Sequence, residues 1–526
     1  MGSSRWLTWA AVAVVAGIFL ARLPAIVEPM GPDQGVYATI GWAMQHGFRL
    51  YRDLFEIKPP GLYVTYWLGF ALLGTNAHAI FWMDYAAAVL TLVALFDLCR
   101  RLVSARFGAL AAAVFAIATW PAARHAYGGF LERTINETFI SLFATASFWA
   151  AAIALARSRH RWAVVSGLVT GIAVVFKPMA AVYWPVSVVW VWLQADFATA
   201  RRFALQSAAG ALVAPIVALG WMWATGIMPD AWLALAVYNS AYLTLGDHSL
   251  FDILNQFAHE TWRRVKTDEV WALGAAGAVV AVAAWKWRTA KSASAAMLGV
   301  LWLGAALAAV ALNGPRMFQT YFMPALVPLS LLAAWLLAAA FAPQRRWRAG
   351  VAALVVGLIA LMLFRSGSLI RAADVTRADT RQLLGATPRL DYLQRFQSRS
   401  SKAFSAADSE RLADYLRSNT QPDERVFIFG MTASAYFLSH RLPASRFLFA
   451  YPAVSNMADR PEFRVETLAA ELSRTAPRYI VLQRHNGDSF SGWRAETSFA
   501  APPMAELLRS YHPDTEIGDY ALYRRN

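Results

Sequence analysis

Long apolar stretches alternate with short polar segments throughout residues 1–370. A helix needs about 20 apolar residues to cross a bilayer. The first stretch follows Arg5 and is not followed by a small-residue cleavage site, so we expect a retained anchor and not a cleaved signal peptide. The pattern predicts about eleven spans, at residues 6–27, 79–99, 107–121, 137–156, 162–176, 179–194, 203–224, 269–285, 295–312, 320–341 and 347–365.

Residues 59–74 are also apolar, but they are short for a span and open with two prolines. If they do not cross, all basic clusters fall on one side of the membrane, as cytoplasmic loops require. We therefore expect them to lie along the outer face or dip into it, with loops 28–78, 122–136 and 225–268 and the C-terminal region outside. The clusters are Arg5; Arg100, Arg101, Arg106; Arg157, Arg159, Arg161; Arg201, Arg202; Lys286, Arg288, Lys291; Arg345, Arg346, Arg348.

The composition agrees with a membrane protein, since 58% of residues are hydrophobic and only 15% are charged. Soluble domains usually carry about 25% charged residues. The net charge of +15 comes mainly from the clusters between spans, so it indicates membrane orientation and not a nucleic-acid partner. The single cysteine, Cys99, excludes an intramolecular disulfide and a cysteine-based metal site.

The C-terminal region alternates short helix and strand patterns. We expect residues 1–370 to form the membrane domain and 371–526 to form a small α/β domain. Its predicted helices are residues 408–418, 466–474 and 504–511, and its predicted strands are residues 426–429, 479–482 and 520–523.

The expected topology places unusual polar residues at one membrane face, although they are far apart in sequence. Asp33 opens the first outer loop, before an expected interfacial helix at residues 35–46. Glu137 begins the fourth span, Lys177 ends the fifth, and Arg316 precedes the tenth. Two carboxylates and two cations at the same face indicate a polar site at the outer surface.

Three segments carry a resemblance to a known family. They are PDQGVYATIGWAMQHGFRLYRDLFEIKPPGLY in the first outer loop, INETF at the fourth span and PRMFQTYFMPALVP at the tenth. They resemble the GT-C superfamily of membrane glycosyltransferases, in particular bacterial relatives of protein O-mannosyltransferases, lipid A aminoarabinose transferases and lipopolysaccharide galacturonosyltransferases. The likeness continues in the C-terminal strands VFIFG, RYIVLQ and ALYRR.

The resemblance implies an inverting transfer of a sugar from a polyprenyl phosphate to a lipid A, polysaccharide or protein acceptor at the periplasmic face of the bacterial inner membrane. Inversion needs a base for the acceptor proton, and the leaving phosphate needs cations in place. The implied catalytic residues are Asp33 and Glu137, the implied phosphate-binding residues are Lys58, Lys177 and Arg316, and the candidates for the substrate groove are Tyr37, Glu56, Tyr63 and Tyr321.

The chain departs from the family pattern at two positions. The usual Asp-Glu pair is Asp33-Gln34 here, so any role of the second carboxylate is in doubt. Many relatives also have a histidine where this chain has Thr320.

Each candidate also has a purely structural interpretation. Asp33 could cap the following helix, Glu137 could interact with a helix dipole, and Lys177 and Arg316 could be interface residues that reach toward water. Lys58 precedes Pro-Pro in a segment expected to be re-entrant, so a structural role explains it least.

The reaction that the resemblance implies needs no nucleotide, and the sequence contains no phosphate-binding glycine loop. A divalent metal stays open, although Glu56 and the histidines do not have the spacing of a known metal site. The histidines considered are His46, His78, His125, His248 and His259.

Two other functions remain as alternatives. A secondary transporter would carry ionisable residues near the centre of the bilayer and internal repeats, which the sequence does not show. A non-catalytic subunit that binds or flips the same lipid would not need a carboxylate at Asp33.

Overall fold

The computed structural model describes residues 5–120, 133–157, 160–243, 249–283, 290–315, 317–340, 367–397, 404–449, 460–484 and 499–526, with the single positions 129, 357 and 364. The chain divides into two compact units. Unit 1 contains Met1–Ala25, Met83–Gly220 and Asp247–Arg377. Unit 2 contains Ile26–Trp82, Trp221–Gly246 and Ala378–Asn526. Each unit is assembled from three separate stretches of chain.

The described residues are mostly helical. The α-helices are α1 (Arg5–Arg22), α2 (Pro32–Gln45), α3 (Gly61–Leu73), α4 (Ala77–Leu102), α5 (Ala105–Ala118), α6 (Asn136–Arg157), α7 (His160–Phe176), α8 (Tyr183–Trp192), α9 (Phe197–Ala224), α10 (Met228–Trp232), α11 (Asn239–Leu243), α12 (Leu250–Thr267), α13 (Glu269–Ala283), α14 (Ala290–Ala311), α15 (Leu326–Ala340), α16 (Ser368–Leu383), α17 (Arg389–Leu393), α18 (Ala406–Asn419), α19 (Ser434–Ser439), α20 (Val465–Thr475) and α21 (Pro502–Leu508). Short 3-10 helices lie at Leu23–Val27, Pro178–Val182, Gln319–Ala325 and Pro461–Phe463, and a π-helix lies at Leu233–Tyr238.

Helices lie at ten of the eleven predicted span positions, and the remaining one, 347–365, falls almost entirely outside the described residues. Several of the ten are shorter than a full span, with 10–17 residues. The described helices long and apolar enough to cross a membrane number five, or six if the bent pair Ala11–Val27 and Pro32–Gln45 counts as one span. The five are Ala77–Leu102, Asn136–Ala156, Phe197–Ala224, Ala293–Ala311 and Gln319–Ala340. The prediction of a helical, multi-pass membrane fold is confirmed.

Glycines allow close helix packing in unit 1. A Cβ atom at Gly167 of α7 would lie 1.8 Å from the carbonyl oxygen of Ser207 in α9. A Cβ atom at Gly210 of α9 would lie 2.2 Å from the carbonyl oxygen of Val164 in α7. Small residues at such positions let the backbones of two membrane helices approach closely. This strengthens van der Waals packing, which matters in lipid because the hydrophobic effect does not drive helices together there.

In unit 2, α2 is a helix surrounded by protein. All of its residues from Gln34 to Ala43 are buried. The expectation of an interfacial helix at 35–46 is therefore correct for the helix but not for its surroundings. The reason is that apolar side chains occur on every side of α2, and a helix of this kind is normally buried. One face lies against α3, where a Cβ atom at Gly41 would meet the Cβ atom of Tyr66 at 2.6 Å.

The C-terminal part of unit 2 contains a four-stranded sheet in the order β1-β2-β4-β3. The parallel pair β1 and β2 forms its buried side, with Val426 opposite Tyr479, and β4 runs antiparallel to both β2 and β3. The strands are β1 (Val426–Phe429), β2 (Tyr479–Gln483), β3 (Tyr511–Ile517) and β4 (Tyr520–Arg525). The prediction of a small C-terminal region that combines helices with a sheet is confirmed.

Strand β3 was not predicted, and the predicted helix at 504–511 ends early, at Leu508. Only the two end residues of β3, Tyr511 and Ile517, are buried, and the centre of the strand contains Pro513. Edge strands tolerate proline and polar side chains because one side of the strand has no ladder to complete. Such a strand lacks the apolar alternation by which strands are recognised in a sequence.

Helix α19 of the C-terminal part of unit 2 packs directly on α2. A Cβ atom at Gly35 would lie 2.5 Å from the backbone nitrogen of Ser434. The Thr39 hydroxyl donates a 2.9 Å hydrogen bond to the carbonyl oxygen of Ala433. Phe437 of α19 stacks on Phe70 of α3 at a centroid distance of 5.0 Å. The first loop and the C-terminal residues thus share one core.

This close approach makes Gly35 sensitive to the smallest substitution. We expect Gly35→Ala to lower the free energy of unfolding by about 1–3 kcal/mol, because the new methyl group must displace backbone atoms. Thermal unfolding of the purified protein would measure the change. Gly17→Ala is the control, since a Cβ atom at Gly17 meets no atom within 4 Å. Equal stability of the two variants would contradict the tight contact.

Candidate functional site

The start of α2 explains why glutamine can follow Asp33. Gly31 is the N-cap residue and Pro32 occupies the first turn. The Gln34 side-chain oxygen accepts a 2.7 Å hydrogen bond from the Gly31 backbone N–H, which satisfies one of the free donors at the helix N-terminus. Gln34 is therefore a capping residue, and Asp33 is an exposed carboxylate in the first turn, where the helix dipole favours negative charge.

Tyr37 connects Asp33 with Lys58. The Tyr37 hydroxyl donates a 3.1 Å hydrogen bond to Oδ2 of Asp33. The Lys58 Nζ atom lies 5.0 Å from the centroid of the Tyr37 ring, within the range of a cation–π interaction. Tyr63 and Tyr66 of α3 pack edge-on against the same ring, at 6.1 and 5.9 Å. Tyr37 therefore contacts both Asp33 and Lys58, which lie toward opposite ends of one loop.

Glu56 gives Lys58 a buried counter-charge. Its side chain is only 3% exposed, and its Oε1 atom lies 3.8 Å from the Lys58 Nζ atom. The same oxygen accepts a 2.7 Å hydrogen bond from the backbone N–H of Ile57. The carboxylate is therefore held by the adjacent backbone N–H, while the Lys58 side chain remains about a third exposed.

Two hydrogen bonds hold the backbone that carries Lys58. The Tyr51 hydroxyl donates to the Lys58 carbonyl oxygen at 2.9 Å, and the Asn239 amide donates to the Ile57 carbonyl oxygen at 2.7 Å. Tyr51 has φ +66°, an uncommon conformation for a bulky residue. Burial, reinforced by the negative charge of Glu56, raises the pKa of Tyr51 well above its usual value, so its hydroxyl stays protonated as a donor. Sequence patterns gave no indication of either Tyr51 or Asn239.

A second cluster lies in unit 1. Glu137, in the first turn of α6, is buried and accepts a 2.9 Å hydrogen bond from the Lys177 ammonium group. The Lys177 Nζ atom also lies 3.6 Å from the centroid of the Tyr321 ring. These three residues come from the fourth predicted span, the end of the fifth and the start of the tenth.

Asp84 positions the turn that leads into Glu137. Its Oδ1 atom accepts a 3.0 Å hydrogen bond from the Thr134 backbone N–H and a 3.2 Å bond from the Thr138 hydroxyl. Thr134 has φ +52°, a conformation that such external contacts stabilise. These contacts give Asp84 a structural role at the turn before α6.

The predicted site residues thus fall into two groups. The first comprises Asp33, Tyr37, Glu56, Lys58 and Tyr63, in unit 2, and the second comprises Glu137, Lys177 and Tyr321, in unit 1. Arg316 lies outside the described residues. Within the described ranges, no group of three or more His, Cys, Asp or Glu residues is placed to share a metal ion.

Comparison with protein families finds a match to part of the chain. Residues 57–223 match the family model for dolichyl-phosphate-mannose-protein mannosyltransferase. The matched segment begins one residue before Lys58 and includes Glu137 and Lys177. Comparison with curated protein sequences gives no match.

Solved structures match nearly the whole chain. The crystal structure of ArnT from Cupriavidus metallidurans bound to undecaprenyl phosphate has a TM-score of 0.59 at 15% identity, over 99% of this chain and 98% of that chain. The archaeal oligosaccharyltransferase AglB from Archaeoglobus fulgidus, in complex with an inhibitory peptide and a dolichol-phosphate, has a TM-score of 0.51 at 13% identity, over 98% of this chain and 74% of that chain. The resemblance to the GT-C superfamily that the loop motifs indicated is thus confirmed, and the chain has the GT-C fold.

Proposed function

We propose that the protein is an inverting glycosyltransferase that moves a sugar from a polyprenyl phosphate to an acceptor of the cell envelope. The observation that carries the proposal is the linked group Asp33–Tyr37–Lys58, in which a carboxylate and a cation from the two ends of one loop share a buried tyrosine. A carboxylate that can take a proton and a lysine that can neutralise a phosphate are the two chemical functions this transfer needs.

The transfer is a single displacement at the anomeric carbon. The acceptor hydroxyl oxygen forms the new bond to this carbon from the face opposite the phosphate, and the bond between the carbon and the phosphate oxygen breaks. Asp33 takes the acceptor proton, and the polyprenyl phosphate leaves with the bonding electron pair. The hydrogen bond from Tyr37 leaves the other carboxylate oxygen of Asp33 available to the acceptor.

The cations act on the leaving phosphate. Lys58 is held by its backbone and is part-exposed, so its ammonium group can reach a phosphate oxygen. Lys177 is held by Glu137 and by the Tyr321 ring, and we propose Lys177 and Arg316 as further phosphate-binding residues. Glu137 then orients Lys177 and is the alternative carboxylate for the proton. Glu56, Tyr63 and the aromatic residues beside them line the substrate groove.

The neighbours support the lipid part of the proposal, because ArnT is bound to undecaprenyl phosphate and AglB to a dolichol-phosphate and an inhibitory peptide. We place the reaction at the periplasmic face of the bacterial cytoplasmic membrane, because the basic clusters then lie in the cytoplasm. We also propose residues 1–370 as the transferase domain and 371–526 as a periplasmic domain, with lipid A, a polysaccharide or a protein as acceptor.

Comparative mass spectrometry of envelope lipids, glycans and proteins tests this function. Cells with and without the gene would be compared, together with cells that carry the Asp33→Asn variant. We expect one sugar residue to be lost from one envelope component in both the deletion and the variant, and its lipid-phosphate donor to accumulate. Repeating the transfer with purified protein in the presence of EDTA would determine the metal dependence.

The same experiment separates the alternatives. A subunit that only binds or flips the lipid would keep its function in the Asp33→Asn variant, and the sugar would then be present. A transporter would alter neither the envelope sugar nor the level of the donor.

A further inference from the structure

A short helix in loop 225–268 contacts the first loop of the chain. Helix α10, the π-helix Leu233–Tyr238 and α11 follow one another without a break. The Nε atom of Arg52 lies 2.8 Å from the Oδ2 atom of Asp230 in α10. The ring of Phe55 packs edge-on against the ring of Tyr238, at a centroid distance of 5.3 Å. The helix therefore contacts the first loop at two points that are three residues apart.

Asn239 makes a third contact, with the peptide group that leads into Lys58. It is the first residue of α11 and directly follows the π-helix. Its amide nitrogen donates a 2.7 Å hydrogen bond to the Ile57 carbonyl oxygen and a 3.3 Å bond to the Leu235 carbonyl oxygen. Both partners are acceptors, so the nitrogen of the amide, and not its oxygen, faces the first loop. Single π-helical turns are rare and are frequent at functional sites.

The hydrogen bond from Asn239 fixes one of the two peptide planes beside the Cα atom of Lys58. Because peptide groups are planar, the direction of the Lys58 side chain depends on the plane before its Cα atom and the plane after it. The first plane contains the Ile57 carbonyl group, held by Asn239. The second contains the Lys58 carbonyl group, which accepts a 2.9 Å hydrogen bond from the Tyr51 hydroxyl. Pro59 follows and restricts the Lys58 backbone further. The direction of the Cα–Cβ bond of Lys58 is thus fixed from both sides.

A fixed Cα–Cβ bond places the ammonium group of a flexible side chain. The Lys58 Nζ atom lies 5.0 Å from the centroid of the Tyr37 ring and 3.8 Å from the Oε1 atom of Glu56, and both contacts depend on where the side chain begins. A lysine loses much rotamer freedom when it is ordered. Ordering it before a ligand arrives lowers the cost of binding and increases the affinity.

We propose that Asn239 is a positioning residue, which orients the Lys58 ammonium group toward the phosphate of the lipid donor by holding the peptide group between Ile57 and Lys58. The proposal rests on the proposed function for the role of Lys58. Asn239 acts through this peptide group and not on the lipid itself, so its effect on binding depends on the presence of Lys58.

Lipid binding to the purified full-length protein tests this role. The affinities of undecaprenyl phosphate and undecaprenol would be measured for the wild type, Asn239→Leu, Lys58→Met and the double variant. Leucine is similar in shape to asparagine but cannot donate a hydrogen bond. A double-mutant cycle of this kind measures whether two residues act through each other. Asn419→Leu is the control, because the Asn419 amide donates a 2.8 Å hydrogen bond to the Tyr415 carbonyl oxygen of its own helix.

We expect Asn239→Leu to weaken undecaprenyl phosphate binding about three- to tenfold, the range for one lost neutral hydrogen bond. Undecaprenol binding should not change, because this lipid has no phosphate for Lys58 to bind. The same substitution should have no effect in protein that already carries Lys58→Met. The Asn419→Leu control should bind both lipids as the wild type does.

Two results would overturn the proposal while the proposed function stands. One is wild-type affinity of Asn239→Leu for undecaprenyl phosphate. The other is an equal loss of affinity with and without Lys58, which would make Asn239 a structural residue of the loop only. If the wild type does not prefer undecaprenyl phosphate to undecaprenol, the donor class in the proposed function is wrong as well. Should Asn239→Leu not fold, Asn239→Ala replaces it in the cycle, since alanine is favourable in a helix and lacks the donor.

Discussion

Asp33→Asn should give a folded protein that binds the lipid donor but transfers sugar about 10²–10⁴-fold more slowly, the usual loss when a positioned general base is removed. Asparagine retains the size of the side chain and can still accept the hydrogen bond from Tyr37. It cannot take a proton from the acceptor. Gln34 is neutral and bound to the Gly31 backbone, so it cannot replace the lost carboxylate. Single-turnover transfer with saturating donor would measure the effect on the chemical step.

Asp53→Asn provides the matched control, because Asp53 is a carboxylate of the same loop whose partner is Arg49 at 2.9 Å. This variant should transfer sugar at the wild-type rate. Asp33→Glu should be intermediate, since the carboxylate is retained but shifted by about one bond length. If Asp33→Asn keeps more than about a tenth of the native rate, below the usual loss for a general base, Asp33 is not the proton acceptor and Glu137 becomes the candidate.

Lys58→Met should weaken the binding of undecaprenyl phosphate by roughly ten- to a hundredfold, the range for a lost charge-assisted hydrogen bond. Methionine keeps an unbranched apolar side chain of similar length but has no ammonium group. The binding of undecaprenol, which lacks the phosphate, should not change. A titration with both lipids would separate the loss of charge from any change in the groove.

The control for Lys58 is Lys266→Met. The Lys266 Nζ atom lies 5.2 Å from the Trp262 ring, nearly the distance between Lys58 and Tyr37, but Lys266 belongs to the exposed side of α12. Its loss should leave both affinities unchanged. Equal effects of the two substitutions would mean that Lys58 contributes only to the general surface charge.

The sequence predicted the positions of the helices well, because about 20 consecutive apolar residues are a strong physical signal. The same signal does not show whether each helix is long enough to cross the membrane. Some helices at predicted positions, such as α8 and α13, are shorter than a full span. The buried strands β1 and β2 were also predicted, since each is a continuous apolar run. The edge strand β3 was missed because it has no continuous apolar run.

The grouping of the site was only partly predictable. The predicted proximity of Glu137 and Lys177 agrees with their hydrogen bond, because the order of the spans brings the ends of neighbouring helices together. The hydrogen bonds to Lys58 from Tyr51 and Asn239 depend on how distant segments fold over each other, which no local pattern records.

The composition of unit 2 sets an order for the assembly of the protein. Its first segment, Ile26–Trp82, shares a core with Ala378–Asn526, which the ribosome makes much later. At roughly 5–20 residues per second, the gap between the two segments corresponds to about 15–60 s of synthesis. During this interval α2, the helix that carries Asp33, lacks the C-terminal segment that contacts Gly35 and Thr39. A nascent chain therefore cannot yet hold Asp33 in its final place. The protein therefore cannot become active before the segment Ala378–Asn526 has been synthesised.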